Sequence, residues 1–511
     1  MRADAPLGRQ LASNTLHAVS GRLAMLLVWL VLVPRILRAL GPERFAIWSL
    51  FFALTGYLGA FDFGLTQGTL RHVSAARAGG REGEGGSFAT LAALGFLGLG
   101  LVWLAIALCW SNTLLGMVGV PPELWETARF VMLAGTAVFV LAGLANLMQA
   151  VLQAYDRFDL ANFITITIAV QQAIGIVVVL GAGWGVEGLV MNTGLGWLIG
   201  VVAGAQQIRR VARGFHWSSP ARGMTRFGEA VRFGSPLQIS NACAVAHVQL
   251  DKFLLARLVA LAAVTPYELG SRVVMAAFAI PQLLVLAVLP VASALHALQD
   301  PGRLAELYRR GNRYVLTSAA VAMAATLGAS GRLYLVWLGP GHAEATLALR
   351  GLTFTAVAAL AAGIGVAVAR GIGRTDLEAW SSVTVIAIHL GLSLWLVPVW
   401  GLAGALVAIF VSSVVGTIVL VWRLAGVLEW PRFGTLLEPL GIPLLAAGCG
   451  TGLAWVVDRA LPGGSGAGEW AALAAVAASG ALGAAAVSLV TGYVRWREAT
   501  GLIGGGFLPA R

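Results

Sequence analysis

The fold class this chain predicts is all-α and embedded in a membrane, and three observations carry it. Apolar stretches, each long enough to cross a bilayer, fill the 511 residues nearly end to end. The hydrophobic fraction is 58%, charged residues are 11%, and the mean hydropathy is +0.83. The breaks are short and polar, whereas a membrane barrel would show alternating segments of about ten residues. A spanning helix needs about 20 mostly apolar residues, and soluble domains do not repeat such runs. Function must then reside in the few polar residues inside the runs, because each is costly there.

About fourteen spans are expected, at 13–33, 45–65, 87–109, 128–152, 161–182, 186–206, 234–258, 268–295, 313–330, 346–369, 379–398, 401–422, 436–457 and 469–490. The first leads into Pro34-Arg35, not a small-residue cleavage site, and is expected to be retained. Gly41-Pro42-Glu43-Arg44-Phe45 opens the second span, and Arg71, Arg77 and Arg81 follow it. Arginines crowd the later even-numbered breaks too: Arg209, Arg210, Arg213, Arg222, Arg226 and Arg232, then Arg303, Arg309, Arg310 and Arg313. The odd-numbered breaks are acidic or neutral, as at Pro121-Pro122-Glu123 and Pro462-Gly463-Gly464. The positive-inside rule therefore places both termini in the cytoplasm. That rule also accounts for the net charge of +11, so nucleic acid is not an expected partner.

The longest inner break divides two similar halves. Tyr155-Asp156-Arg157-Phe158-Asp159 precedes Gly185-Val186-Glu187-Gly188 by about 28 residues, and Gly371-Ile372-Gly373-Arg374-Thr375-Asp376 precedes Gly401-Leu402-Ala403-Gly404 by a similar distance. Val264-Thr265-Pro266-Tyr267-Glu268 likewise matches the Gly41 segment. Six spans followed by six of the same orientation form a parallel repeat, an arrangement that keeps a transport site between its halves. The expected organisation is a lobe at 1–206, an arginine-rich cytoplasmic linker at 207–232, a second lobe at 233–425, and an added helix pair within 426–511.

Several polar residues fall inside the spans. Arg22 lies about nine residues from either end of the first, too deep to reach the interface comfortably. Gln238, Asn241, Gln249 and Lys252 recur at helical spacing along one face of 234–258, facing a wet cavity or another helix. Asp251 lies about 100° away and reads as a proton or cation site or as a helix-pairing carboxylate. Arg272 begins the next span, and both it and Lys252 could reach the outer interface. Asp62 suits a loop-fixing role with Arg71. Pro236, Pro281 and Pro290 are candidate kinks. Cys109, Cys243 and Cys449 are far apart in apolar runs and are expected as buried free thiols. No metal-ligand spacing, catalytic set or P-loop occurs, so no metal, cofactor or ATP hydrolysis is expected, and the chain does not read as an enzyme.

Leu40-Gly41-Pro42-Glu43-Arg44-Phe45-Ala46-Ile47-Trp48, Asp62-Phe63-Gly64-Leu65 and Arg71-His72-Val73-Ser74 resemble bacterial polysaccharide and O-antigen flippases. So do Asp251-Lys252-Phe253-Leu254-Leu255, Tyr267-Glu268-Leu269-Gly270, and Gly371 to Asp376 with Leu396-Val397-Pro398. The resemblance covers about residues 10–425 and is to the oligosaccharide-lipid flippases of the multidrug/oligosaccharidyl-lipid/polysaccharide exporter superfamily. It implies a V-shaped pair of six-helix lobes in the bacterial inner membrane, moving an undecaprenyl-pyrophosphate-linked glycan by alternating access. Arg22, Lys252 and Arg272 would then supply cations for the phosphates, Gln238, Asn241 and Gln249 would line the path, and Asp251 would be the candidate for ion coupling. Membrane lipids and polysaccharide-assembly proteins are the implied partners. One departure is that Lys252 is the chain's single lysine. The rivals are a multidrug exporter of the same superfamily, which would favour buried carboxylates, and a membrane glycosyltransferase or polymerase. The latter usually needs a larger outer loop than the 18 or so residues found here.

Overall fold

The structure, a computed structural model, describes residues 31–54, 64–212, 214–461 and 466–494, with backbone alone at 82–83, 222–223, 225–239 and 467. The regular elements among the described residues are helices. The chain divides into two compact units, Met1–Val264 and Thr265–Arg511. In the first, residues 31–54 (α1) are helical on both sides of Gly41, whose φ of +73° breaks the helix axis ahead of Pro42. There follow α2 (Leu65–Ala78), α3 (Glu82–Val118), α4 (Trp125–Ala154), α5 (Phe158–Gly181), α6 (Gly185–Val211) and α7 (Ala221–Leu258). α4 packs against α3 and α6, α5 against α6, and α7 against α3. At one end Val151, Leu152, Ile164, Ile168, Ile208 and Phe215 close a single apolar cluster.

The second unit takes up the chain within α8 (Val264–Ala277) and continues through α9 (Ala279–Leu286), α10 (Val288–Ala297), α11 (Pro301–Trp337), α12 (Ala343–Gly371), α13 (Thr375–Trp400) and α14 (Leu402–Val427). The short α15 (Arg432–Leu437) then leads to α16 (Gly441–Ala460) and α17 (Ala467–Val490). Among the described residues, 11 helices are long and apolar enough to cross a membrane. Of the three expected spans not among them, 13–33 and 45–65 include residues outside the description, and 234–258 lies in the continuous but more polar helix α7. Outward faces are apolar as well: Leu101, Leu108, Trp395 and Val490 are each more than half exposed. A helix apolar all round belongs in lipid. The cysteines are free, but Cys109 and Cys449 are exposed rather than buried, because such outward faces need only be apolar.

The halves repeat in detail. α3 to α6 have 37, 30, 24 and 27 residues, and α11 to α14 have 37, 29, 26 and 26. Where α4 ends, the Arg157 amide donates to the Leu152 carbonyl at 3.0 Å after left-handed Asp156; where α12 ends, the Arg374 amide donates to Ala369 at 2.8 Å after left-handed Gly373. Each arginine then grips the aspartate two residues on with two prongs, Arg157 to Asp159 at 2.9 and 2.8 Å and Arg374 to Asp376 at 2.8 and 2.9 Å. Both next helices begin with a close approach. A Cβ on Gly188 would lie 2.6 Å from Val179, and one on Gly404 would lie 2.3 Å from the Leu396 carbonyl.

The expected continuous span 268–295 is instead three segments, and proline explains both breaks. Pro281 lacks the N–H that would bond Ala277, the last residue of α8; Pro290 lacks the one for Leu286, the last of α9. α7, by contrast, is helical through Pro236. The added pair α16–α17 packs on α11 through Ala329, Ala454, Leu473 and Val476. Small residues bring these helices together, since a Cβ on Gly450 would meet the Gly480 carbonyl at 2.5 Å. Arg332 of α11 ties them by bonding Asp458 at 2.7 Å, Glu469 at 3.1 Å, and the Asp458 and Leu461 carbonyls at 3.3 Å.

Two substitutions test this packing. Arg332→Ala leaves Asp458 and Glu469 without that cation and should cost about 2–3 kcal/mol, below the full cost of breaking a buried pair because Asp458 is partly exposed. A lower melting temperature in detergent is the expected readout; an unchanged one would show that the apolar contacts alone hold the pair. Gly119, between α3 and α4, has φ +82°, and a Cβ there would lie 2.8 Å from the Ala256 carbonyl of α7. Gly119→Ala should cost about 1–2 kcal/mol from the left-handed backbone alone, with the close approach adding to it. Wild-type thermal stability in this variant would mean that α7 can shift freely there.

Candidate functional site

The C-terminal half of α7 carries the polar residues singled out from sequence. α7 is one continuous helix, so positions 238, 241, 245, 249 and 252 share a face. Exposure falls along that face: Asn241 is exposed, Gln249 half-buried, and Lys252 buried. The side chain of Gln238 lies outside the description, as do Arg22 and Asp62. Lys252 is 4% exposed and Asp251 0%, so both side chains are enclosed by the protein. The Gln249 side-chain carbonyl oxygen is buried, with no hydrogen-bond partner among the described residues. It stands one turn before Lys252, so an unused acceptor and a buried cation lie on one strip of helix.

The position of this strip follows from packing. Leu255 and Ala256, one turn further along, are buried, and Gly119 admits the α7 backbone against the α3–α4 turn. That turn is held by the Trp125 indole, which donates to the Val120 carbonyl at 2.8 Å. Phe253 lines an apolar cavity of about 140 Å³ with Phe51, Trp103, Leu114, Val118 and Met132. The Phe253 face of α7, next along the helix from Asp251 and Lys252, is therefore packed in hydrocarbon. A charge in such surroundings must find a counter-charge or several hydrogen bonds.

Arg272 belongs to α8 in the second unit, and its partner is not among the residues expected from sequence. Its Nε donates to Glu268 Oε1 at 2.7 Å, with side-chain exposures of 19% and 4%. Glu268 thus neutralises a cation that sequence alone offers to a ligand. The i to i+4 spacing of Glu before Arg is the signal that reveals it. Two further ion pairs escape the sequence reading, the Arg332 clamp and the Arg370–Glu378 pair between α12 and α13, two-pronged at 2.7 and 2.6 Å. Their partners lie in different helices, which sequence spacing does not display.

Comparisons with known proteins fit this architecture. The family described as "Polysaccharide biosynthesis protein" matches residues 37–341, more than half of the chain. A putative O-antigen transporter of Shigella flexneri is 23% identical over 404 residues, covering 75% of this chain and 90% of that protein. Among solved structures, the lipid II flippase MurJ in an inward closed conformation superposes with a TM-score of 0.71 at 13% identity, over 95% of this chain and 99% of its own. A mutant form of the Vibrio cholerae MATE transporter VcmN superposes with a TM-score of 0.62 at 16% identity, over 82% of this chain and 97% of its own. The structural likenesses establish a shared fold. With more than half of its length matched, this multi-pass membrane protein belongs to the polysaccharide biosynthesis protein family.

Proposed function

We propose that this protein is a flippase that carries a lipid-linked, pyrophosphate-bearing glycan across the bacterial inner membrane, without chemical conversion of its cargo. One observation carries the reading: Gln249 and Lys252, one turn apart on one face of α7, place an unused acceptor near a buried cation. A phosphorylated sugar offers hydroxyl donors for the amide carbonyl and anionic oxygen that a buried cation can attract. Family membership and the named relatives support the same class of cargo. The MurJ likeness also takes in 95% of this chain against 82% for the MATE transporter.

In this reading Arg22 and Lys252 bind phosphate oxygens, Gln238, Asn241 and Gln249 line the path, and the lipid tail stays in the bilayer. Arg272 contributes less because Glu268 already holds it. Asp251 is the candidate coupling group, and both termini are cytoplasmic. A second reading, a cation-coupled drug exporter, draws on the burial of Asp251 and Glu268, at 0% and 3% exposure. Buried carboxylates suit a cationic cargo, so the two readings differ in which side chains transport requires.

Complementation of a strain lacking this protein separates them, with surface glycan and membrane protein abundance measured together. Arg22→Ala should abolish glycan export, and Lys252→Ala should reduce it at least about tenfold, the effect of losing roughly 1.4 kcal/mol of binding. Lys252→Arg should retain part. The neutral pair Glu268→Gln with Arg272→Gln should preserve most export, because no buried charge is stranded. Normal export by abundant Arg22→Ala/Lys252→Ala protein would overturn the reading, and drug sensitivity tracking Asp251→Asn would favour the exporter. Topology is checked separately: reporter fusions at Arg77 and Arg432 should read cytoplasmic, and one at Pro121 periplasmic. A periplasmic signal at Arg432 would reverse the orientation.

A further inference from the structure

Several arginines of the second unit have a carboxylate: Arg370 has Glu378, Arg374 has Asp376, Arg310 has Glu306. Arg423 and Arg432 are exposed, with no carboxylate partner among the described residues. Each rests instead on an aromatic ring. The Arg423 Cζ lies 5.4 Å from the Trp380 ring centroid, and the Arg432 Cζ lies 5.1 Å from that of Trp422. The Phe433 ring meets Trp422 edge-on at 5.2 Å, which fixes α15 against α14. Arg432 lies along α14 where Gly426 leaves room, since a Cβ on Gly426 would come 3.0 Å from its Nη2. Gly426 is one turn beyond Arg423, so both guanidinium groups rest against the last turns of α14, on adjoining faces.

Stacking engages the face of a guanidinium and leaves its in-plane N–H donors directed outward. Donors so directed suit the oxygens of a phosphate. The surroundings suit a lipid rather than a soluble anion. Phe433 and Leu437 are 69% and 60% exposed and share one face of α15, and Trp380 is 58% exposed. Exposed aromatic and aliphatic side chains beside arginines that lack a carboxylate are the arrangement of a membrane interface, with tryptophan at headgroup depth. We propose that Arg423 and Arg432, stacked on Trp380 and Trp422, bind the phosphodiester headgroup of an anionic phospholipid in the cytoplasmic leaflet, with Phe433 and Leu437 in its acyl region. The leaflet rests on the proposed orientation; the headgroup chemistry does not depend on the transported cargo.

The test is native mass spectrometry of the full-length, detergent-purified protein titrated with phosphatidylglycerol or with phosphatidylcholine of the same acyl chains. Wild-type protein should retain phosphatidylglycerol preferentially. Arg423→Gln and Arg432→Gln should each weaken that retention about fivefold, and the two together about twenty-fivefold, as expected for roughly one surface arginine's worth of attraction apiece. Arg423→Lys should keep part of the affinity, because a point charge replaces a fork. Equal retention of both lipids by wild type, or an unchanged preference in the double variant, would overturn the proposal. So would full displacement by inorganic pyrophosphate, which would mark a site for a free anion instead. None of these outcomes bears on glycan export, so failure here leaves the flippase reading standing.

Discussion

Hydrocarbon offers no hydrogen-bond partner, and the architecture depends on that constraint. Every backbone N–H and C=O inside the bilayer must be bonded by its own chain, so spans become helices and loops retreat to the surfaces. α3 and α11, at 37 residues each, are about 55 Å long and outreach a hydrocarbon core of about 30 Å. Where the helical pattern fails inside the second unit, the cause is local. Pro281 and Pro290 remove one donor each, and the chain is divided into α8, α9 and α10 at the carbonyls left without it.

The same constraint governs charge. The chain handles its intramembrane and interfacial ions in distinct ways, and the difference separates scaffold from site. Arg332 gathers two carboxylates and two carbonyls and joins three helices that otherwise meet through small and apolar side chains. Arg272 is answered within its own helix by Glu268. Arg157 and Arg374 close their turns through the aspartate two residues on; at such exposed positions the pair contributes little energy and mainly fixes geometry. Lys252 is buried one turn from an amide oxygen, that of Gln249, which no described residue uses.

The internal repeat applies one solution twice. Two stretches of four helices match in length, in the left-handed residue that ends α4 and α12, in the arginine that follows, and in the glycine that lets α6 and α14 approach the preceding helix. Repeating the turn repeats the direction in which the next helix leaves. The added pair, α16 and α17, has no counterpart in this repeat and is secured by side chains specific to α11.

Fold class, the run of spans, the repeat and the polar stripe on α7 are all legible in the order of residues. They follow from composition and from spacing along one helix, which depend only on neighbours in the chain. The Tyr155–Asp159 and Gly371–Asp376 motifs can be read for that reason, and their geometry is the same in both halves. Packing in three dimensions settles which charges hold helices together. Arg332 and Asp458 are 126 residues apart, and nothing in the spacing of either announces the other. Packing also buries Lys252 on the helix that is pressed, at Ala256, against the Gly119 turn. Burial is a property of what packs against a side chain, and in a membrane protein apolar residues face both lipid and core, so hydrophobicity alone does not distinguish the two.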